Sequence, residues 1–589
     1  MNVTRVFDIL PYQATHFPKA DMFSTKVDRS WVAYSTSEVI NIVNHVSLGL
    51  IHLGLEKNEK VAIISFNRPE WNFIDYGVQQ VGAISVPIYP TITEEDFKYI
   101  LTDAEVKFIF VANAELYEKI KRASAAIGSI QKIFTFDVIE GASHWTSVKE
   151  LGEKENIHRL TPYKDAVTPD DLLTLIYTSG TTGNPKGVML THHNLLSNVK
   201  ACTPLMPIDH THKALSFLPL CHVYERMMSY LYTSIGASIY YAESIDTISE
   251  NLKEIHPNMF VTVPRLLEKV YDKIYAKGQE LTGIKRMLFF WALDLGLKYE
   301  PHQKQGAWYN FQLKLANKLI FNKWREALGG DVKAIVSGGA ALQPRLARVF
   351  MAAQITILEG YGLTETSPVI AVNHVEKENN MIGTVGPLIE GVEVKIATDG
   401  EILTRGPHVM KGYYNKPDLT AEAIDADGWF HTGDIGTFIH HKFLKITDRK
   451  KEIFKTSGGK YIAPQQMENK FKESVVIEQV MVCGEGEKFP VALVVPDFAQ
   501  LREYCKFKEI PYTTNEDMIT HLEIIQKIEK EINELNENFA QYERVKKIKL
   551  MPKLWSVESG ELTPTLKLKR KNITQNNKHL IDALYENKV

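Results

Sequence analysis

Residues 173–188 read LTLIYTSGTTGNPKGV, an apolar run that breaks into a loop of Ser, Thr and Gly and closes on Pro-Lys-Gly. The apolar part has the length and character of a strand. The loop that leaves it suits an anion: Gly180, Gly183 and Gly187 let the backbone approach a bound group, Thr178, Ser179, Thr181 and Thr182 offer hydroxyls, and Lys186 adds a compact positive charge. In open α/β sheets, ligand sites lie at the carboxyl ends of strands, where such a loop would begin. The spacing differs from the GxxxxGKS or GxxxxGKT of the common nucleotide loop, which disfavours a kinase or ATPase of that kind.

The flanking sequence alternates in the way a parallel sheet requires. Ser35 and Glu38 are spaced as a capping box for a helix whose apolar positions Val39, Ile42, Val43, Val46 and Leu50 recur at helical spacing. Short apolar runs at 60–65, 83–88 and 107–111 read as strands, with a helix starting at Pro69 between the first two. The unit returns at 333–337, a strand, followed by the turn Gly338-Gly339-Ala340 and a helix begun by Pro344 and buried through Leu346, Val349, Phe350 and Ala353. Beyond Asp448-Arg449-Lys450-Lys451 the character changes to short strands at 478–482 and 490–495, then one helix carrying Met518, Leu522, Ile525, Ile528, Ile532 and Leu535. The expectation is an α/β protein with a large N-terminal domain of mainly parallel sheets covered by helices, residues 1–447, and a small α+β C-terminal domain, residues 448–589.

Composition narrows the function. With 589 residues, 44% apolar and 24% charged, the chain exceeds one compact core and has ordinary globular make-up. A formal charge of -3 lacks the basic excess of nucleic-acid binding, so phosphate recognition should be local. Cys202, Cys221, Cys483 and Cys505 are too scattered for a metal site and too few for a disulfide framework, which points to a reduced, cytoplasmic setting. The opening MNVTRVFDILPYQATHFP has no basic region before an apolar run, and no stretch reaches the ~18 apolar residues of a spanning helix.

YTSGTTGNPKGV resembles the signature of the adenylate-forming superfamily, which includes acyl-CoA synthetases, aryl-CoA ligases, luciferases and the adenylation domains of peptide synthetases. Further segments resemble that family in its order along the chain. Residues 359–369, EGYGLTETSPV, are similar to its second nucleotide motif, which implies that Tyr361 and Gly362 lie against adenine, Thr364 binds phosphate and Glu365 holds magnesium together with Thr178. Gly338, Gly339 and Ala340 resemble the adenine-contacting turn, and Asp434, in DGWFHTGDIG, would bind the ribose hydroxyls. Arg449 would contact ribose or phosphate, and Lys451 would be the hinge on which the small domain swings. Gly458, Gly459 and Lys460 would enter the site for thiol transfer. Lys567, in TPTLK, would neutralise the carboxylate and α-phosphate during adenylation, whereas Lys569, Arg570 and Lys571 read as solubilising. Singly, each segment is an ordinary turn or exposed basic stretch; their shared order carries the resemblance.

Within the superfamily, residues 218–226, LPLCHVYER, put His222 where an acyl site has an aromatic or a histidine and lack the aspartate that pairs with an amino-acid ammonium. An extended stretch at 271–330 resembles the insertion of long-chain fatty acyl-CoA synthetases. Two readings of it stay open: contact with a membrane surface, which would make the protein peripheral at the inner face of a membrane, or a helical hairpin packed on the large domain. The resemblance implies a ligase that converts a fatty acid, with magnesium and ATP, to acyl-AMP and then passes the acyl group to coenzyme A. The rivals are an acyl-adenylate ligase serving a carrier protein and a catalytically silent lipid-binding scaffold.

Overall fold

The computed structural model describes residues 1–178, 184–301, 305–563 and 567–586. The Ser35 capping box forms, its hydroxyl accepting from Glu38 N and the Glu38 carboxylate accepting from Ser35 N at 2.7 Å, and opens the helix Thr36–His52. By its contacts the chain divides into two units, residues 1–395, 403–431 and 439–444, and residues 396–402, 432–438 and 445–589.

The first unit holds two eight-stranded sheets. One runs in the order Val369–Val372, Ile357–Gly362, Ala334–Ser337, Met259–Thr262, Lys213–Ser216, Ser238–Tyr241, Phe23–Val27, Ser30–Tyr34, parallel within and antiparallel only at its two edges. The other is parallel from Leu172–Thr178 through Ile84–Pro87, Lys60–Ile64, Val106–Val111 and Lys132–Thr135 to Ser143–His144. On the far side of Leu172–Thr178, Lys186–Thr191 and Gly412–Tyr413 join antiparallel.

The helices Pro69–Val81 and Val223–Ser234 are buried on every side, as expected of helices enclosed in a core. Such helices cannot rest on amphipathicity alone, and these two are tied by a polar seam. Arg226 of the second helix pairs with Asp75 of the first and donates to Ser85 and Thr174, each at 2.7 Å. Tyr230 donates to Asp75, and Gln79 donates to Asp75 and to Tyr230 at 2.9 and 3.0 Å. Ser85 and Thr174 lie on strands of the second sheet, while Asn72, on the first helix, bonds Tyr241 of the other sheet at 2.8 Å. The seam therefore reaches both sheets.

The insertion folds as the helices Pro264–Glu280, Gly283–Leu297, Ala307–Ala316 and Asn322–Ala327, with a π-helical turn, Asn317–Phe321, before the last. Its inner face, through Phe289, Leu293, Phe321 and Trp324, joins the core beneath the Pro344–Ala352 helix.

In the second unit, strands Ile477–Cys483, Val491–Pro496 and Lys547–Leu550 form a sheet covered by the helices Pro464–Phe471, Phe498–Lys508 and Leu522–Asn536. Residues 396–402 and 432–438 group with this unit through bonds such as Lys450 N to Gly433 O and Lys450 Nζ to Glu401, each at 2.8 Å. The single helix expected from Met518 to Leu535 is two, Asn515–Met518 and Leu522–Asn536. His521 is extended and resets the register, so Leu522 is exposed and Ile524, Ile528 and Ile532 form the buried stripe.

Two predictions follow from the buried helices. Asp75→Asn leaves the Arg226 charge buried without its partner, and is expected to cost about 3–5 kcal/mol in reversible chemical denaturation. Glu225, beside Arg226, meets no donor at good geometry among the described residues, and burial, moderated by the Ser216 hydroxyl, pushes its acid up to about 8. A raised carboxyl makes the folded state bind a proton that the unfolded chain has lost, so this stability is present below the unfolded pKa and lost as pH rises towards 8. Glu225→Gln should remove that slope, gaining about 2–4 kcal/mol on wild type between pH 5 and pH 8; parallel pH profiles would contradict it.

Candidate active site

The strands Leu172–Thr178 and Lys186–Thr191 form a hairpin in which Thr178 and Lys186 face each other across the ladder. Lys186–Thr191 is a return strand that the strand-then-loop reading did not anticipate. Ser179, Gly180, Thr181, Thr182 and Gly183, assigned above to nucleotide binding, lie outside the described residues.

Lys186 Nζ stands 4.7 Å from the centre of the Tyr413 ring, and the Tyr413 hydroxyl donates to Glu365 Oε1 at 2.9 Å. Burial and the neighbouring carboxylate raise the Tyr413 pKa, so the phenol stays protonated and acts as a donor. Lys186 and Glu365 thereby share one aromatic residue, the cation on its ring and the carboxylate on its hydroxyl. Nothing in the local sequence singles out Tyr413: strand pairing brings it there, Gly412 opposite Met189 and Tyr413 opposite Val188.

Glu365 sits in a 3-10 turn, Thr364–Thr366, at the end of the strand Ile357–Gly362. The turn is held by Thr366, whose hydroxyl donates to Pro368 O at 2.6 Å, and by the Ser367 hydroxyl, which donates to His408 O at 2.8 Å. Gly362 is required where it stands: a Cβ there would lie 1.7 Å from the Pro368 carbonyl oxygen. Tyr361 and Gly362 are partly exposed at this strand end, and Thr364 is buried. At the base of the same strand Glu359 is buried, and burial pushes its carboxyl up to about 8 against the pull of the Gly383 and Leu342 backbone amides.

The turn Gly338-Gly339-Ala340 follows Ala334–Ser337, the neighbouring strand of the same sheet, so it and Tyr361 emerge at adjacent strand ends. Gly339 has φ +81°, a conformation that favours glycine. The ring of Tyr224 would touch a Cβ on Gly338 at 3.3 Å, and its hydroxyl donates to Val336 O at 3.1 Å, which seats the start of the Val223–Ser234 helix beneath the turn. His222 is the N-cap of that helix, Nδ1 accepting from Tyr224 N at 3.2 Å. The first unit thus brings Thr178, Lys186, His222, the 338–340 turn, Tyr361, Thr364 and Glu365 onto strand ends and turns joined by these contacts.

The remaining assigned residues belong to the second unit. Asp434 is buried and accepts from Arg449 Nε at 2.9 Å. Lys451 is exposed, and Gly458, Gly459 and Lys460 lie at the exposed tip of the hairpin Phe454–Lys455/Tyr461–Ile462. Lys567 is exposed, its N–H donating to the Thr563 hydroxyl at 3.0 Å and Thr563 N to Lys567 O at 2.8 Å.

Arg570 is not the solubilising cation expected from its place in a basic tail. Its guanidinium binds Glu468 through both terminal nitrogens, at 2.6 and 2.8 Å, and Glu452 through Nε at 2.9 Å. The fork geometry of arginine fits this double carboxylate, and a lysine would not reproduce it. The partners are over a hundred residues away in sequence, so the contact leaves no local signal.

Among the described residues no three His, Cys, Asp or Glu side chains gather as a metal site, and no helix is long and apolar enough to cross a membrane.

The family model of AMP-binding enzymes matches residues 10–414, and that of the AMP-binding enzyme C-terminal domain matches residues 451–589. The chain is 33% identical to the long-chain-fatty-acid–CoA ligase FadD15 of Mycobacterium bovis over 574 residues, covering 96% of this chain and 95% of that one. It is 33% identical to long-chain-fatty-acid–CoA ligase 1 of Homo sapiens over 605 residues, 95% of this chain and 84% of that one. Among solved structures, the adenylation domain of a carboxylate reductase from Mycobacterium chelonae superimposes with a TM-score of 0.77 at 20% identity, covering 99% of this chain and 92% of that one. A fatty acyl CoA synthetase of Mycobacterium tuberculosis gives 0.63 at 20% identity over 98% and 99% of the two chains. These two share the fold, and the family models and full-length identities settle the relationship: the chain belongs to the AMP-binding enzymes, in the branch of the long-chain fatty acyl-CoA synthetases.

Proposed function

We propose that the protein joins a long-chain fatty acid to coenzyme A in two steps at the expense of ATP. In the first, a carboxylate oxygen attacks the α-phosphorus, a new C–O–P linkage forms, the bond to the β-phosphate breaks, and pyrophosphate leaves. In the second, the sulfur of coenzyme A attacks the acyl carbon, the bond to AMP breaks, and the thiol proton passes to solvent. Acyl-CoA and AMP are the products.

The observation that carries this reading is the Lys186–Tyr413–Glu365 arrangement at the strand ends Thr178 and Lys186. Bringing a carboxylate up to a triphosphate sets two anions against each other, and preorganised cations and donors must offset the repulsion. Lys186 supplies positive charge without being quenched by Glu365, because the phenol ring and hydroxyl of Tyr413 stand between them. Magnesium that arrives on ATP needs one or two protein oxygens in addition to phosphate and water, and the Glu365 carboxylate and Thr178 hydroxyl are hard oxygen donors of that kind. When bound, the ion neutralises phosphate charge. Thr364 and the hydroxyls of Ser179, Thr181 and Thr182 would hold phosphate oxygens, Tyr361, Gly362 and the 338–340 turn the adenine, and Asp434 with Arg449 the ribose. His222 would stand beside the acyl carboxylate.

In the same reading Lys567 serves adenylation, the loop Gly458-Gly459-Lys460 serves thiol transfer, and the small domain, residues 448–589, turns about Lys451 between the steps. Three residues beyond Lys567, Arg570 clamps its tail to Glu452, next to that pivot, so the lysine and the hinge move as one piece.

The test scores AMP release and acyl-CoA formation by purified protein with magnesium ATP, free coenzyme A and acids from acetate to eighteen carbons. AMP and acyl-CoA should appear together with the long acids; acyl-AMP that is never consumed would indicate a carrier-protein acceptor instead. Lys567→Ala should lower ATP–pyrophosphate exchange by about 100-fold or more while thioester formation from supplied acyl-AMP survives. Equal loss of both half-reactions would refute the division of labour.

A further inference from the structure

Asn67 lies in the turn between the strand Lys60–Ile64 and the helix Pro69–Val81, where an asparagine ordinarily caps the helix that follows. Here Arg68 is the N-cap, without a side-chain cap bond, and the Asn67 amide crosses to a loop of the other sheet. Its Nδ2 donates to the Ser216 hydroxyl at 3.0 Å and to Leu218 O at 2.6 Å, and its Oδ1 accepts from Leu220 N at 3.0 Å. These partners stand 149 to 153 residues further along the chain, so nothing in the local sequence announces them.

The segment they hold, residues 217–222, leaves the carboxyl end of the strand Lys213–Ser216 and enters the helix Val223–Ser234 at His222. It and the turn at Asn67 thus lie at carboxyl ends of parallel strands, one from each eight-stranded sheet, where α/β sheets take their ligands. Leu218 and Leu220 straddle Pro219, and Pro219 O accepts from His222 N at 2.9 Å. Two of the three Asn67 bonds therefore fix the residue on which the His222 backbone rests. Among the described residues neither Leu218 O nor Leu220 N makes another hydrogen bond. A carboxamide suits this task because it carries two N–H donors and an acceptor on one plane; an aspartate has no donor to offer. Arg226 sets the helix beyond His222 through Asp75, Ser85, Thr174 and Tyr230, none of which belongs to this segment. The shape of the segment itself is left to Asn67.

We propose that Asn67 is a positioning residue for adenylation: acting through Pro219, it sets His222 against the carboxylate of the fatty acid. This rests on the reading that His222 stands beside that carboxylate.

The test joins one measurement that needs no catalysis to one that does. In the full-length protein, Asn67→Ala should speed amide hydrogen exchange in the peptide spanning 217–222 about tenfold, while residues 227–234 of the following helix keep their protection. In ATP–pyrophosphate exchange the same variant should lower kcat/KM for a long-chain acid about tenfold and leave the KM for ATP within about twofold. Asn67→Ala/His222→Ala should be no slower than His222→Ala alone, because both changes remove one interaction. Asn67→Asp, of the same size but without the two donors, repeats both measurements should Asn67→Ala fail to fold. Unchanged exchange in 217–222 would overturn the proposal. So would a freed segment with wild-type kcat/KM for the acid, a parallel rise in both KM values, or losses that multiply in the double variant. A freed segment in a protein whose wild type releases no AMP with any acid would instead count against the ligase reading.

Discussion

The first unit depends on one buried ion pair, Asp75 with Arg226. Two sheets with two helices between them must fill a core where both helices are surrounded, and apolar contact alone leaves such helices free to rotate or slide. A charge pair with neither member exposed is rarely a large net source of stability, because removing both groups from water costs nearly as much as their attraction returns. What it supplies is register. Arg226 can satisfy Asp75, Ser85, Thr174 and Tyr230 together in only one rotation and one translation of its helix, and that setting has consequences at both ends.

At one end lies the hairpin. Thr174 belongs to the strand that ends in Thr178, so the position of Thr178 follows from the seam. At the other end lies His222, which caps the helix that Arg226 fixes, and Tyr224, which lies under the 338–340 turn. His222, the 338–340 turn and the strand end at Thr178 are thus referred to one interior point. The same economy recurs at the surface of the site, where Tyr413 settles Lys186 and Glu365 together.

The motifs were legible because each is local: a strand and a glycine-rich loop, a turn after a strand, a Pro-started helix, a capping box. Strand starts and helix starts fell where alternation and capping residues placed them, as at Thr36, Lys60, Pro69 and Pro344. What escaped was set by partners distant in sequence. Tyr413 reaches the site through the pairing of a two-residue strand, and Arg570 finds carboxylates more than a hundred residues back. Composition misled at Arg570, since a basic tail reads as hydrated until a buried acceptor is known. In the helix near 518–535, periodicity alone joined two segments that the extended His521 separates, and the apolar Leu522 fell on the wrong face as a result.

The segment around Lys451 shows how ion pairs can leave a chain stiff everywhere but at one residue. Before it, Arg449 is held by Asp434, and Lys450 by Asp399 at 2.6 Å and Glu401 at 2.8 Å. After it, Glu452 is held by Arg570, which also carries Glu468. Lys451 itself is exposed and makes no ion pair among the described residues. Asp448 completes the picture: buried near Glu452 and Glu468, its carboxyl is pushed up to about 7 by burial first and by those two carboxylates after it, with Arg570 and the Arg449 amide opposing. Near neutral pH it is therefore partly protonated, which spares the cluster a third negative charge around a single guanidinium. A backbone fixed on both flanks directs any rotation to the dihedrals of the residue between them; the hydrogen bonds from Glu452 N and Ile453 N to Arg449 O, at 2.9 and 3.1 Å, would have to open for it, while the ion pairs on either flank would not.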